Sequence, residues 1–286
     1  MNAFRRLLKS SGSQPPIGSW ISSASPIVAE AMGVAGFDWG VVDMEHAPMD
    51  IMQVVQLLQA LGNTRMVSVV RVPWNDAVVV KRVLDAGATT VLFPFVQNAE
   101  EARSAVATTR YPPAGLRGMS GMSRGARFGT VPNYLKTANA DMGVIAQLET
   151  PQALAHLEDI AAVEGIDALF IGPADLSASM GHVGQFTHPE VMQAMADAAR
   201  RCKAVGKAVG TVGGTPDVVT QYRAMGYDYL AVASDIGLLM QGAAAALAAL
   251  RMSGGESHVH SLQSGTHRRG LICHPNRCAT SPSHDC

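Results

Sequence analysis

The sequence predicts an α/β chain folded as a single (β/α)8 TIM barrel. Three observations carry this expectation. Short β-rich runs alternate with helical patterns from residue 17 to residue 250. Eight strand–helix pairs in about 250 residues is the usual content of that barrel. Most of the strand runs are continuously apolar, as a parallel sheet buried on both faces requires. A doubly wound open sheet is the alternative, because closure is not written in one sequence.

The strands are expected at 17–20, 39–43, 66–71, 90–94, 143–149, 168–172, 208–211 and 229–233. Helices are expected between them at 26–34, 50–61, 76–86, 99–109, 151–162, 189–205, 216–225 and 236–250. Pro151, Pro189 and Pro216 fall near helix starts, where a missing N–H costs little. Gly36, Gly62, Gly87, Gly206 and Gly226 follow helices, where a left-handed residue often ends them. AGFDW, AGATT and MGYDY share one helix–glycine–strand rhythm, which reads as repeated architecture. Residues 1–14 form a lead-in, 15–251 the barrel and 252–286 a tail. The long excursion at 111–140 reads as an active-site loop after the fourth strand.

Composition narrows the function. The chain is 48% hydrophobic and 16% charged, enough for a large core and too apolar for general disorder. A net charge of −1 and 5% aromatics argue against nucleic-acid binding. No run is long and apolar enough for a membrane span, and the start has no secretory h-region. Within the first 251 residues Cys202 is the only thiol, which fits a reducing cytoplasm. The tail holds five of the nine histidines and three of the four cysteines, but its spacing fits no closed zinc set, and a disordered appendage is expected.

Barrel enzymes place their chemistry where strands end and βα loops begin. The second strand ends in Asp43, Glu45 and His46, a neutral imidazole suited to general-base work beside two carboxylates. The third ends in Arg71, which either binds an anion or pairs structurally with Asp43 or Asp76. The fifth brings Gln147 and Glu149 to one side by alternation, and the sixth leads into Ala174 and Asp175. Glu149 and Asp175 suit a hard divalent cation, Mg²⁺ or Mn²⁺ with Co²⁺ also admissible, or they cap the helices that follow them. Spacing leaves both readings open. By pattern alone Asp85 is an ordinary helix-end residue, and GTVGGTP is either a phosphate loop or a turn.

The ordered phrases VDMEHAP, RVPWND, LDAGA, VLFPFVQNAEEAR, RYPPAGLRG, QLET and FIGPADLSASMG resemble the class II pyruvate aldolases over residues 15–250. That family includes 4-hydroxy-2-oxoheptane-1,7-dioate and 2-dehydro-3-deoxyglucarate aldolases. The resemblance implies a phosphoenolpyruvate/pyruvate-type barrel with Glu149 and Asp175 as metal ligands and His46 as base. It implies that Arg71 stabilises an enolate and that Asp85 raises the basicity of His46. Gln147 and Ala174 are implied substrate contacts, with Asp43 as a helper. It also implies a homo-oligomer, a hexamer built as a trimer of dimers with an exchanged last helix, and no organic cofactor. The loop GMSGMSRGARFG departs from the named enzymes on what should be the aldehyde side, so the acceptor is left open.

The expected reaction is reversible retro-aldol cleavage of a 4-hydroxy-2-oxo acid to pyruvate and an aldehyde. Three rivals are weighed against it. A Schiff-base aldolase needs a central lysine, for which Lys136 is the candidate. The others are an acyl-CoA lyase on the same fold and a barrel that binds a small acid without turnover.

Overall fold

A computed structural model describes residues 1–10, 12 and 14–253, with no side-chain account of residues 252 and 253. Eight parallel strands close in sequence order: β1 (Ile17–Ile21), β2 (Trp39–Asp43), β3 (Val67–Arg71), β4 (Thr90–Phe93), β5 (Gly143–Leu148), β6 (Ala168–Ile171), β7 (Ala208–Gly213) and β8 (Tyr229–Ser234). The closing pair is β1 with β8, in register from Ile17 opposite Leu230. The expected barrel is therefore correct, and the open-sheet alternative is not.

Among the described residues twelve helices accompany the strands: α1 (Ala3–Ser10), α2 (Pro26–Val34), α3 (Ile51–Leu61), α4 (Ala77–Asp85), α5 (Ala99–Thr109), α6 (Tyr134–Asp141), α7 (Pro151–Ala155), α8 (Leu157–Ala161), α9 (Pro173–Ser179), α10 (Pro189–Ala204), α11 (Pro216–Ala224) and α12 (Asp235–Ser253). Their starts are locally encoded. Asp50 caps α3 in a capping box with Gln53, and Asp76, Asn98, Thr150 and Thr215 each accept a first-turn N–H. Proline opens α7, α10 and α11 as expected. The single helix expected at 151–162 is two, broken at His156.

Strand alternation sorts the apolar residues into two cores. Val41, Val69, Ile145, Phe170 and Tyr229 point into the barrel, while Val42, Val70, Val144, Leu169 and Leu230 meet the helices. The interior is filled by aromatic rings, with Trp39 edge-on to Tyr229 at 5.3 Å. Gly210 makes room for them, since a Cβ there would lie 2.2 Å from the Tyr229 ring. The lead-in is not passive. Its helix α1 places Phe4 under the barrel, edge-on to Tyr229 at 5.2 Å and fully buried.

The excursion at 111–140 is not an active-site loop of its own chain. It joins α5 to β5, so it lies at the N-terminal end of the barrel, opposite the βα loops. A helix running back along its strand had already reversed the direction of the chain. Met1–Gln241 form one compact unit, and the described residues from Gly242, within α12, fall outside it. The expectations for the tail, including its cysteine and histidine cluster, lie outside the described residues from residue 254 onward. Among the described residues no helix is long and apolar enough to cross a membrane.

Candidate active site

The βα rim surrounds a cleft of about 690 Å³ lined by Asp43, His46, Arg71, Gln147, Glu149, Ala174 and Asp175 among others. Seven of the residues singled out from sequence thus meet on one cavity. Glu45 stands behind Arg71 rather than on the cleft wall.

Adjacent strands build the first half of the site. Asp43 and Arg71 are register partners at the ends of β2 and β3. Arg71 grips the Asp43 carboxylate with Nε at 2.8 Å and Nη2 at 2.7 Å, while Nη1 reaches Glu45 at 2.8 Å. This forked pair is nearly fully buried. Two of the five guanidinium N–H groups are committed to Asp43 by hydrogen bonds, Nη1 faces Glu45 as an ion pair, and the second Nη2 hydrogen remains for a substrate. Asp43 Oδ1 also accepts the backbone N–H of Glu45 and of His46, at 3.0 and 3.3 Å, which shapes the turn that presents His46. His46 is 64% exposed, with Nε2 3.8 Å from Glu45 Oε2. Burial raises the Glu45 carboxyl above its usual range, against the pull of Arg71.

The second half gathers negative charge. Glu149 follows β5 and is 1% exposed. Gln147 Nε2 donates to its Oε2 at 2.5 Å and the Phe95 N–H to its Oε1 at 2.9 Å. Phe95 sits at φ 56°, a left-handed position that aims this N–H at the carboxylate. Burial pushes Glu149 up to about 7, and repulsion from Asp175 and Glu45 adds to it. Gln147 Oε1 is buried and without a partner. A buried carboxylate facing other carboxylates, with an orphaned acceptor beside it, is a donor set that fits a divalent cation. Gly172 caps α9 against this group, where a Cβ would lie 2.4 Å from Glu149 Oε2. Asp175 rides in the first turn of α9, exposed to the cleft.

Asp85 is not brought to His46. It closes α4 at the opposite end of the barrel and pairs with Arg117 Nη2 at 3.0 Å. Lys136 lies in α6 at that same far end, and no lysine lines the cleft among the described residues. The strands bring to the site residues that sequence reasoning passed over. Trp20 supplies its ring 5.5 Å from the Arg71 guanidinium carbon, and Phe170 packs on Trp20 at 5.4 Å. Their only sequence signal is an inward register position. The GTVGGTP segment does reach the cleft, through Gly213, Gly214 and Thr215.

The profile of the HpcH/HpaI aldolase/citrate lyase family matches residues 16–242. The chain belongs to that family. A 2-dehydro-3,6-dideoxy-6-sulfogluconate aldolase of Pseudomonas putida is 49% identical over 82% of this chain and 92% of its own. A 4-hydroxy-2-oxo-heptane-1,7-dioate aldolase of Salmonella heidelberg is 46% identical over 85% and 92%. The crystal structure of an HpcH/HpaI aldolase/citrate lyase family protein from Burkholderia cenocepacia superposes with a TM-score of 0.84 at 42% identity, covering 88% of this chain and all of that one. This HpcH/HpaI family chain is therefore an aldolase, a carbon–carbon lyase.

Proposed function

We propose that this aldolase cleaves a 4-hydroxy-2-oxo acid to pyruvate and an aldehyde, reversibly. The observation that carries the reading is the convergence of Glu149, Asp175, Arg71 and His46 on one cleft. Glu149 and Asp175 would hold a divalent cation, Mg²⁺ or Mn²⁺ with Co²⁺ admissible, and that ion supplies Lewis acidity toward the 2-oxo acid.

The side chains divide the remaining work. The imidazole of His46 takes the proton from the C4 hydroxyl, with Glu45 Oε2 3.8 Å from its Nε2. The C3–C4 bond breaks, its electrons pass toward the 2-oxo group, and the aldehyde departs. The free Nη2 hydrogen of Arg71 meets the growing charge on the enolate oxygen. Asp43 holds that guanidinium in place. Gln147 and the backbone of Ala174 position the 2-oxo acid, and protonation at C3 releases pyruvate.

The oligomer belongs to the same reading. Asp85 lies at the far end of its own barrel, so a role beside a His46 requires a second copy of the chain. Leu116, Met119, Met122 and Phe128 are exposed on the excursion at that end, apolar surface suited to such a contact. Further apolar residues are exposed on α12, including Leu239 and Met240. A cytoplasmic setting fits the sparse thiols of the first 251 residues. The acyl-CoA reading is less well supported, since among the described residues the cleft is lined by Arg71 and no lysine, too little basic surface for the CoA phosphates.

The test is pyruvate release from 4-hydroxy-2-oxoheptane-1,7-dioate, 2-dehydro-3-deoxyglucarate and 2-dehydro-3,6-dideoxy-6-sulfogluconate. Each is assayed before and after EDTA, with Mg²⁺, Mn²⁺ or Co²⁺ restored separately. Cation-restored cleavage is expected, and the ratio of rates names the acceptor. A folded, cation-loaded protein that cleaves none of the three would refute the substrate assignment.

A further inference from the structure

The segment between α9 and α10 carries a cluster for which the aldol chemistry has no use. His182 and His188 stack with ring centroids 3.6 Å apart and planes 17° apart. His182 Nε2 lies 2.8 Å from Glu190 Oε2. His188 Nδ1 accepts the Glu190 N–H at 3.3 Å and so caps α10. One donor atom from each of the three lies within 4.8 Å of the other two.

An ion pair and a helix cap account for the individual hydrogen bonds. They do not account for the second imidazole lying on the first. Two such rings in face contact repel once both are protonated, whereas a cation bound to their lone pairs keeps both neutral. Two imidazoles and a carboxylate form the donor set of a late first-row ion such as Zn²⁺, with a position left for water. Mg²⁺ prefers oxygen donors throughout and is better served by Glu149 and Asp175. Imidazole lone pairs lie in the ring plane, so binding one ion between both rings turns His188 off the face of His182 and releases its long 3.3 Å cap on the Glu190 N–H.

We propose that His182, His188 and Glu190 form a second cation site, for Zn²⁺ or a comparable late first-row ion, separate from the Glu149 and Asp175 pair. Its consequence is positional. Phe186 and Thr187 lie between the two histidines in sequence and line the substrate cleft. An ion on His182, His188 and Glu190 ties both ends of that short wall to the first turn of α10. The site then braces the cleft without entering the reaction.

The experiment uses the full chain, stripped of metal and dialysed against Zn²⁺ in the presence of excess Mg²⁺, with bound zinc counted by mass spectrometry. The variants are His182→Gln and His188→Asn. Asparagine is itself a good helix cap, so the second variant keeps α10 and loses only the imidazole. Both should hold one zinc fewer per chain than the wild type. The wild type should show zinc-dependent protection of residues 180–190 from hydrogen exchange, and both variants should lose it. Zinc taken up at Glu149 and Asp175, or by the histidines and cysteines beyond residue 253, is common to all three proteins and cancels in the difference. Equal zinc content in the wild type and both variants overturns the proposal.

Discussion

Replacing Gly172 by alanine tests the site through a single methyl group. The backbone there, φ −87° and ψ 102°, is open to any residue, so no conformational strain is introduced. The effect is steric: the new Cβ would stand 2.4 Å from Glu149 Oε2 and 3.0 Å from Gln147 Nε2. Ordinary contact begins at 3.4 Å, so the carboxylate must retreat by about 1 Å. A flexible surface glutamate would simply swing aside. This one is buried and held by Gln147 at 2.5 Å and by the Phe95 N–H at 2.9 Å. A misplacement of this size in a catalytic constellation costs roughly 10²-fold in rate. The overpacking itself destabilises by roughly 1–3 kcal/mol. Pyruvate release should therefore fall about 10²-fold in kcat/KM, and more divalent cation should be needed for half-maximal rate, while circular dichroism reports a folded barrel. Gly214→Ala is the control: it lines the same cleft with nothing within 4 Å of its added Cβ, and it should behave as wild type. Wild-type turnover and cation requirement in Gly172→Ala would show that Glu149 is not needed where the fold holds it.

Four further outcomes follow from the same geometry. Arg71→Ala should lower kcat by roughly 10²–10³ through loss of an enolate donor, and should lower the unfolding free energy measured in urea by roughly 3–5 kcal/mol because the buried Asp43 carboxylate loses its counter-charge; unchanged kcat would remove Arg71 from the mechanism. His46→Asn should lose roughly 10²–10⁴ in kcat with an unchanged Tm, since the ring is largely exposed; a fall in Tm with little loss of rate would make it structural. In the cation-free protein Glu149 keeps its proton up to about 7, against 4.5 for an ordinary glutamate, so between those values the unfolded chain binds fewer protons and stability falls as pH rises, by up to roughly 3 kcal/mol from this group. Glu149→Gln should flatten that slope in pH-dependent urea melts, and an identical slope in the variant would assign it elsewhere. Asp85→Asn and His46→Asn chains, inactive alone, should regain activity when refolded together if Asp85 serves the His46 of another copy; no recovery in mixed oligomers would confine Asp85 to its bond with Arg117.

Much of the fold was legible because its signals are local. Apolar runs at 39–43 and 168–172, proline at the head of α7, α10 and α11, and capping side chains at Asp50 and Asp76 each act within a few residues. Strand ends in a barrel share one rim, so sequence alone placed Asp43, His46, Arg71, Gln147, Glu149, Ala174 and Asp175 at a common level. Closure of β1 onto β8 was not legible, because that pairing joins residues about two hundred apart and leaves no local trace. Neither was the fate of Asp85 and the 111–140 excursion. A helix returns the chain to the opposite rim, and position along the sequence does not say at which end of the barrel a residue will stand. The charge state of the site also waited on tertiary structure. That Arg71 forks onto Asp43 and lies against Glu45, and that burial lifts Glu149 toward neutrality, depends on desolvation and on distances between separate strands. Local periodicity determined where the elements and the reactive side chains lie along the chain; packing decided which of those side chains meet, and in what electrostatic state.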